Sequence, residues 1–90
     1  MKAVQLQVFG KVQGVFYRAA TRQIARELKL TGWVKNEEDG SVSIHAQGDD
    51  LAVDSLVEWA GQGPEHALVS RVNTAGVEPV KLSGFKIYYK

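Results

Sequence analysis

A glycine-bounded loop stands directly ahead of a helical pattern that opens with an arginine, over Gly10-Lys11-Val12-Gln13-Gly14-Val15-Phe16-Tyr17-Arg18. Glycines permit backbone conformations that aim several amide N–H groups at one point, and a helix start adds roughly half a positive charge. A guanidinium can donate two parallel hydrogen bonds to phosphate oxygens. The loop predicts a binding site for a phosphorylated small molecule, although such a turn can also be a plain strand-to-helix connection.

A second segment of the chain strengthens the phosphate interpretation. It is Gly32-Trp33-Val34-Lys35-Asn36-Glu37-Glu38-Asp39-Gly40-Ser41-Val42, followed by Gly48. In order and spacing, the two segments resemble the paired signatures of the acylphosphatase family. The resemblance covers most of the chain and also takes in later features: Gly63-Pro64, Ala67, Val69 and the aromatic-rich end Phe85-Lys86-Ile87-Tyr88-Tyr89.

The resemblance implies an enzyme that hydrolyses the carboxyl–phosphate bond of small acyl phosphates to carboxylate and inorganic phosphate. It implies two catalytic residues: Arg18 binds the phosphate and Asn36, lying near it, positions the water. The phosphate is also expected to contact the backbone amides of the loop, those of Gly14, Val15, Phe16, Tyr17 and Arg18. The leaving carboxylate belongs to an acid with a pKa of about 4, so it needs no general acid. Arg18 and the amides supply the charge compensation that a metal gives in kinases, so we expect no metal and no cofactor. Inorganic phosphate is expected to be both product and inhibitor.

Several side chains near these motifs have simpler interpretations. Asn36 could also begin the turn to Asp39-Gly40. Arg22 and Arg26 continue an i, i+4 row from Arg18, but that spacing is more typical of a solvated helix face than of a phosphate-tracking stripe. Gln13 is expected to shape the loop, and the rings of Phe16 and Tyr17 are expected to pack inside the protein. The family more often has Phe at the position of Tyr17, a difference that keeps the ring.

Composition limits the partners of the chain. The 90 residues form one domain over 1–90, with 11 Lys and Arg, 10 Asp and Glu, a formal charge of +1 and no cysteine. A charge this close to zero does not predict a nucleic-acid partner, and the lack of cysteine fits a reducing cytoplasm. His45 and His66 lack partners at metal-ligand spacing. No signal peptide or membrane span is evident, so we expect a soluble protein, located in the cytoplasm. We also expect it to be a monomer.

The periodicity of the chain predicts the elements that must position the two motifs. The expected strands cover 3–9, 32–36, 41–47, 67–77 and 84–89, and the expected helices run from Arg18 to about Lys29 and from Asp49 or Asp50 to Gly61. The βαββαβ order predicts an α+β, ferredoxin-like sandwich, with an antiparallel sheet covered on one face by two helices.

Binding modules without catalysis are the alternatives. The RNA recognition motif shares this order of elements, but its basic and aromatic run is absent from the third strand, which reads Ser41-Val42-Ser43-Ile44-His45. An acylphosphatase-like domain retained only for binding would be expected to have lost Arg18 or Asn36. A metallochaperone of this topology would need a pair of cysteines, and the chain has none.

Overall fold

The computed structural model describes residues 1–89, which form five strands and two helices. Their bounds are β1 Lys2–Lys11, α1 Tyr17–Glu27, β2 Thr31–Asn36, β3 Val42–Gly48, α2 Asp50–Ala60, β4 Leu68–Gly76 and β5 Phe85–Tyr88. Each predicted element is present. The first helix ends two residues earlier than expected, because Lys29 adopts a left-handed backbone with φ of 60°, which a helix cannot continue.

The strands form one sheet in the order β4-β1-β3-β2-β5. β1 pairs antiparallel with both β3 and β4, and β2 pairs antiparallel with β3. These four strands confirm the ferredoxin-like prediction. The expectation of a wholly antiparallel sheet needs one correction, since β5 joins the free edge of β2 in parallel. The chain crosses from β4 at one edge of the sheet to β5 at the other. The alternation of apolar and polar residues within a strand does not specify which edge the next strand will join.

The core lies between the sheet and the two helices. α1 lies against β2 and β5, and α2 lies against β1 and β3. Alternate residues of the central strands are buried: Val4, Leu6 and Val8 in β1, and Val42, Ile44 and Ala46 in β3. The hydrophobic stripe of α2 buries Val53, Leu56 and Ala60. These buried side chains hold α2 against the sheet.

The chain packs closely at both ends of the loop between β1 and α1. Gly10 lies at a shift in the pairing register of β1 with β4 and has φ of +123°, and a Cβ there would lie 2.1 Å from the Leu68 carbonyl oxygen. The hydroxyl of Tyr17 donates a hydrogen bond of 2.7 Å to the carbonyl oxygen of Ala60. The end of β1 and the start of α1 are thereby anchored on both sides of the loop.

Candidate active site

The loop that connects β1 to α1 has two residues in the left-handed region of the backbone. Gly14 has φ of 76° and Phe16 has φ of 64°. Glycine adopts this conformation freely, whereas a residue with a side chain is destabilised there by about 1–2 kcal/mol. Val12 and Val15 anchor the loop to the core, since both side chains are buried there. The loop therefore holds Phe16 in a backbone conformation that is unfavourable for a residue with a side chain.

The backbone N–H groups of this loop are free to bind a ligand. Within residues 1–89, none of the amides from Gly14 to Ala19 donates a hydrogen bond to a protein acceptor, and the first helical bond runs from Ala20 N to Phe16 O at 3.0 Å. Helix α1 also has no capping side chain and no acidic residue in its first turn. Unpaired amides at a helix start attract anions, because their partial positive charges point the same way.

Arg18 and Asn36 lie in the same pocket, which has a volume of about 330 Å³. Arg18 comes from the first turn of α1, and Asn36 is the last residue of β2. The pocket is lined by Val12, Gly14, Phe16, Tyr17, Arg18, Ala19, Asn36, Ile87 and Tyr89. Among residues 1–89, no carboxylate forms an ion pair with the Arg18 guanidinium, so its charge is available to a bound anion.

The amide side chain of Asn36 carries an unused hydrogen-bond acceptor. Its Oδ1 atom is buried, yet it has no hydrogen-bond partner among the described residues. Such a buried, unsatisfied acceptor destabilises a fold by about 1–3 kcal/mol. The oxygen therefore retains an unused capacity to accept a hydrogen bond.

Gln13 connects the loop to the turn between β2 and β3. Its Nε2 donates two hydrogen bonds of 2.9 Å, to the carbonyl oxygens of Glu37 and Ser41. On the far side of the turn, Asp39 accepts hydrogen bonds from the Ser41 hydroxyl and the Ser41 amide, which lower the pKa of the Asp39 carboxyl. Gln13 thus shapes the loop, as predicted, and it does so by tying the loop to the segment that follows Asn36.

The structure brings most of the predicted site residues together. Gly14, Phe16, Tyr17, Arg18 and Asn36 all line the pocket, whereas the Val15 side chain points into the core. Tyr17 is buried, as expected. The expectation that Phe16 packs inside is wrong: its side chain is 81% exposed, because the left-handed backbone turns it away from the core.

Four residues of the pocket were not predicted as site residues: Val12 and Ala19, which flank the predicted loop, and Ile87 and Tyr89, from the aromatic-rich segment. The aromatic-rich end of the sequence was the available signal, but only the parallel pairing of β5 with β2 places it beside Arg18. The Cζ atom of Arg18 lies 4.9 Å from the centroid of the Tyr89 ring, a cation–π contact.

The other basic side chains of α1 lie outside the pocket. Arg26 donates a hydrogen bond of 3.0 Å to the carbonyl oxygen of Phe85, so it ties α1 to β5. Arg22 does not line the pocket. Across residues 1–89, no three His, Asp or Glu side chains cluster as metal ligands would. The same part of the chain has no helix long and apolar enough to cross a membrane.

Comparison with known proteins places this chain in a family. A family model described as acylphosphatase matches residues 4–87. An acylphosphatase of Marinobacter nauticus is 58% identical over 67 residues, which cover 74% of this chain and 73% of the relative. The structure of an acylphosphatase from Coxiella burnetii has a TM-score of 0.93 and 41% identity, covering 97% of this chain and 92% of the other. The crystal structure of the Bacillus subtilis acylphosphatase has a TM-score of 0.94 and 34% identity, covering 99% and 100%.

The chain therefore belongs to the acylphosphatase family. The expectation of an enzyme that hydrolyses acyl phosphates is confirmed. The roles of Arg18, Asn36 and the loop amides stay predictions.

Proposed function

We propose that Arg18 and the amides of Gly14, Val15, Phe16, Tyr17 and Arg18 bind the phosphate of a small acyl phosphate, while Asn36 positions the attacking water. One observation carries this proposal. Asn36 Oδ1 is buried and has no hydrogen-bond partner among the described residues. Asn36 lines the same pocket as Arg18, whose guanidinium forms no ion pair with a carboxylate of residues 1–89, and as Gly14, Phe16 and Tyr17, whose amides bond to no acceptor in that range. The pocket thus combines groups that attract an anion with a neutral acceptor for a water proton.

The proposed reaction needs little covalent chemistry from the protein. The water oxygen attacks phosphorus in line with the bond to the acyl oxygen, and that bond breaks as the new one forms. Its electron pair leaves on the carboxylate, and one proton of the water passes to a phosphate oxygen. Arg18 and the amides stabilise the charge on the equatorial oxygens, which is the contribution that a metal ion makes in other phosphoryl-transfer enzymes.

Asn36 suits the role of positioning water because it does not titrate. Its Oδ1 accepts a hydrogen bond and its Nδ2 donates, so the side chain can hold a water in one orientation at any pH. A carboxylate in the same place would repel the phosphate. The proposed mechanism therefore depends on geometry and on fixed charge, and it requires neither a metal nor a cofactor.

The chain is also proposed to act as a cytoplasmic monomer that does not bind nucleic acid. The absence of cysteine supports a reducing compartment, and the net charge of +1 argues against a nucleic-acid partner. Size-exclusion chromatography with light scattering, which measures the mass of the particle in solution, tests the oligomeric state.

Spectrophotometric hydrolysis of benzoyl phosphate, with and without excess EDTA, tests the proposed chemistry. We expect turnover that the chelator leaves unchanged, because the proposed charge stabilisation comes from Arg18 and the loop amides. Absence of turnover would favour a binding module. Turnover that EDTA abolishes, and that an added divalent cation restores, would contradict the metal-free mechanism.

A further inference from the structure

Two aromatic side chains stand exposed at the rim of the pocket. Phe16 is 81% exposed and Tyr89 is 74% exposed, and both line the pocket that contains Arg18 and Asn36. Large apolar side chains are normally buried, so two exposed rings around one pocket require an explanation.

The fold does not account for the ring of Phe16. Within the described part of the chain, Phe16 makes no stacking or cation–π contact, and its side chain neither caps α1 nor joins the core. Its backbone is left-handed, a conformation in which glycine would fit without strain. A strained backbone and an exposed ring at the same residue suggest that the ring has a function.

The distribution of charge around the pocket indicates which kind of group the rings would contact. Among the described residues that line it, Arg18 is the only charged side chain. The larger apolar and aromatic side chains of the lining include Phe16, Ile87 and Tyr89. A ligand whose phosphate is bound by Arg18 therefore meets apolar surface and no second cation at its other end.

We propose that Phe16 and Tyr89 bind the acyl group of the substrate, and that this favours acyl phosphates with an aromatic acyl group. The proposal rests on the proposed function, because the acyl group lies near the two rings only if the phosphate lies at Arg18. Aromatic rings attract other rings through offset or edge-to-face contacts, beyond the effect of buried area alone.

The geometry of Tyr89 fits this role. One part of its ring lies against Arg18, with Cζ 4.9 Å from the ring centroid, which places the ring beside the expected phosphate. Most of the remaining surface of the side chain is exposed. The pocket volume of about 330 Å³ lies at the small end of the range of about 300–1,000 Å³ for ligand sites, so it suits a phosphate with one ring.

The test compares kcat/KM for benzoyl phosphate with kcat/KM for acetyl phosphate. The intrinsic reactivity of the two substrates differs, but that difference is the same for every variant. A change in the ratio of the two kcat/KM values therefore measures an effect of the substituted side chain. Phe16→Gly removes the ring and keeps the left-handed backbone, Tyr89→Leu removes the second ring, and Tyr89→Phe restores it. Leu51→Ala, at an exposed residue outside the pocket, is the matched control.

We expect Phe16→Gly and Tyr89→Leu each to lower the benzoyl to acetyl ratio by about three- to ten-fold, the range of a single aromatic contact. Tyr89→Phe and Leu51→Ala should keep the ratio of the original protein. Inhibition by phenylphosphonate should weaken by a similar factor, relative to inhibition by methylphosphonate, so that binding is measured without turnover.

The outcomes separate the two proposals. If the unaltered protein hydrolyses both substrates and the variants change both to the same extent, the rings do not select the acyl group and this inference is wrong. If the unaltered protein hydrolyses neither substrate, the proposed function itself fails. A ratio that falls equally in Leu51→Ala would also overturn the inference.

Discussion

At the scale of single residues, Arg18 and Asn36 supply different interactions to the same pocket. Arg18 offers a charged group with several donors, whereas Asn36 offers a neutral amide whose oxygen is buried and unpaired among the described residues. The guanidinium can contact the phosphate before and during the reaction. The amide is expected to matter only once a water is in place. Substitution of the two residues should therefore give different kinetic results.

Arg18→Gln is expected to reduce turnover almost to the background rate, with loss of both substrate binding and rate. The neutral amide lacks the charge and the planar fork of the guanidinium. Steady-state kinetics with benzoyl phosphate measure the effect, and circular dichroism checks that the fold is kept. Arg22→Gln, one turn along the same helix and outside the pocket, is the control and should behave like the original protein. A folded Arg18→Gln variant with near-normal turnover would exclude the proposed role.

Asn36→Ala is expected to lower kcat on the order of 10²-fold or more, by analogy with the removal of one preorganised polar group from a reacting centre. The affinity for inorganic phosphate should change little, because the guanidinium and the amides remain. Kinetics and phosphate titration measure the two quantities separately, with Asn73→Ala, at an exposed strand position, as the control. If phosphate affinity fell as far as kcat, Asn36 would be a ligand of the phosphate.

At the scale of the elements, the start of α1 is tied to the end of α2 through Tyr17. Its hydroxyl bonds to the Ala60 carbonyl at 2.7 Å, and its ring lies 5.5 Å from that of Trp59, centroid to centroid. Because Tyr17 directly precedes Arg18, this contact helps to fix the position of the Arg18 backbone, from which the guanidinium extends. The hydroxyl is buried, and burial raises its pKa above the usual value.

Tyr17→Phe is expected to lower the free energy of unfolding at pH 7 by about 1–2 kcal/mol, because it leaves the buried carbonyl of Ala60 without its donor. Urea denaturation followed by tryptophan fluorescence measures the change. Tyr88→Phe, at a partly exposed residue, is the control and should change stability by less than about 0.5 kcal/mol. Equal stability of Tyr17→Phe and the original protein would show that this hydrogen bond contributes nothing net.

The same variant should reveal a pH dependence. Above about pH 10, the pKa of tyrosine in the unfolded chain, the unfolded chain loses the Tyr17 proton whereas the native protein keeps it. The free energy of unfolding therefore falls as pH rises above that value. The stabilising contribution of Tyr17 is present in full below the unfolded pKa and is lost as pH rises through the folded pKa. The stability difference between the original protein and the Tyr17→Phe variant should therefore shrink above about pH 10, by at most about 1.4 kcal/mol per pH unit. A difference that stays constant up to about pH 11 would contradict the raised pKa.

At the scale of the whole molecule, the proposed attraction for anions is expected to be local. The formal charge is only +1, so the general field of the protein adds little, and the proposal assigns the attraction to Arg18 and the amides. Any ligand that binds the native pocket and not the unfolded chain also stabilises the fold. Stability therefore provides a test of the site that does not depend on turnover.

Inorganic phosphate is expected to raise the free energy of unfolding by about 1.4 kcal/mol at a concentration about ten times its Kd. It should also inhibit competitively, raising KM and leaving kcat unchanged. Thermal unfolding and steady-state kinetics, both at constant ionic strength set with chloride, measure the two effects. Arg18→Gln should lose most of both. Equal stabilisation of that variant would mean that phosphate binds elsewhere or acts as a general salt.

The sequence allowed many residues of the candidate site to be named, and the features it missed have a common cause. Arg18, Asn36 and the loop amides belong to two local segments whose residue types carry their chemistry. The partners of Gln13 are the carbonyls of Glu37 and Ser41, which are 24 and 28 residues away. Nothing local to Gln13 specifies those carbonyls. Similarly, the expectation that Phe16 is buried followed from its apolar side chain and failed because its backbone is left-handed.

By itself, the sequence determined the elements, because hydrophobic periodicity and turn residues act over a few neighbouring positions. It also predicted an anion-binding role for the first loop, which stays a prediction. Only the tertiary structure decided that β5 pairs in parallel with β2, and so places Ile87 and Tyr89 beside Arg18. Strand pairing depends on which edge is free once the other strands have packed, and that is a property of the assembled sheet, beyond the reach of any local pattern.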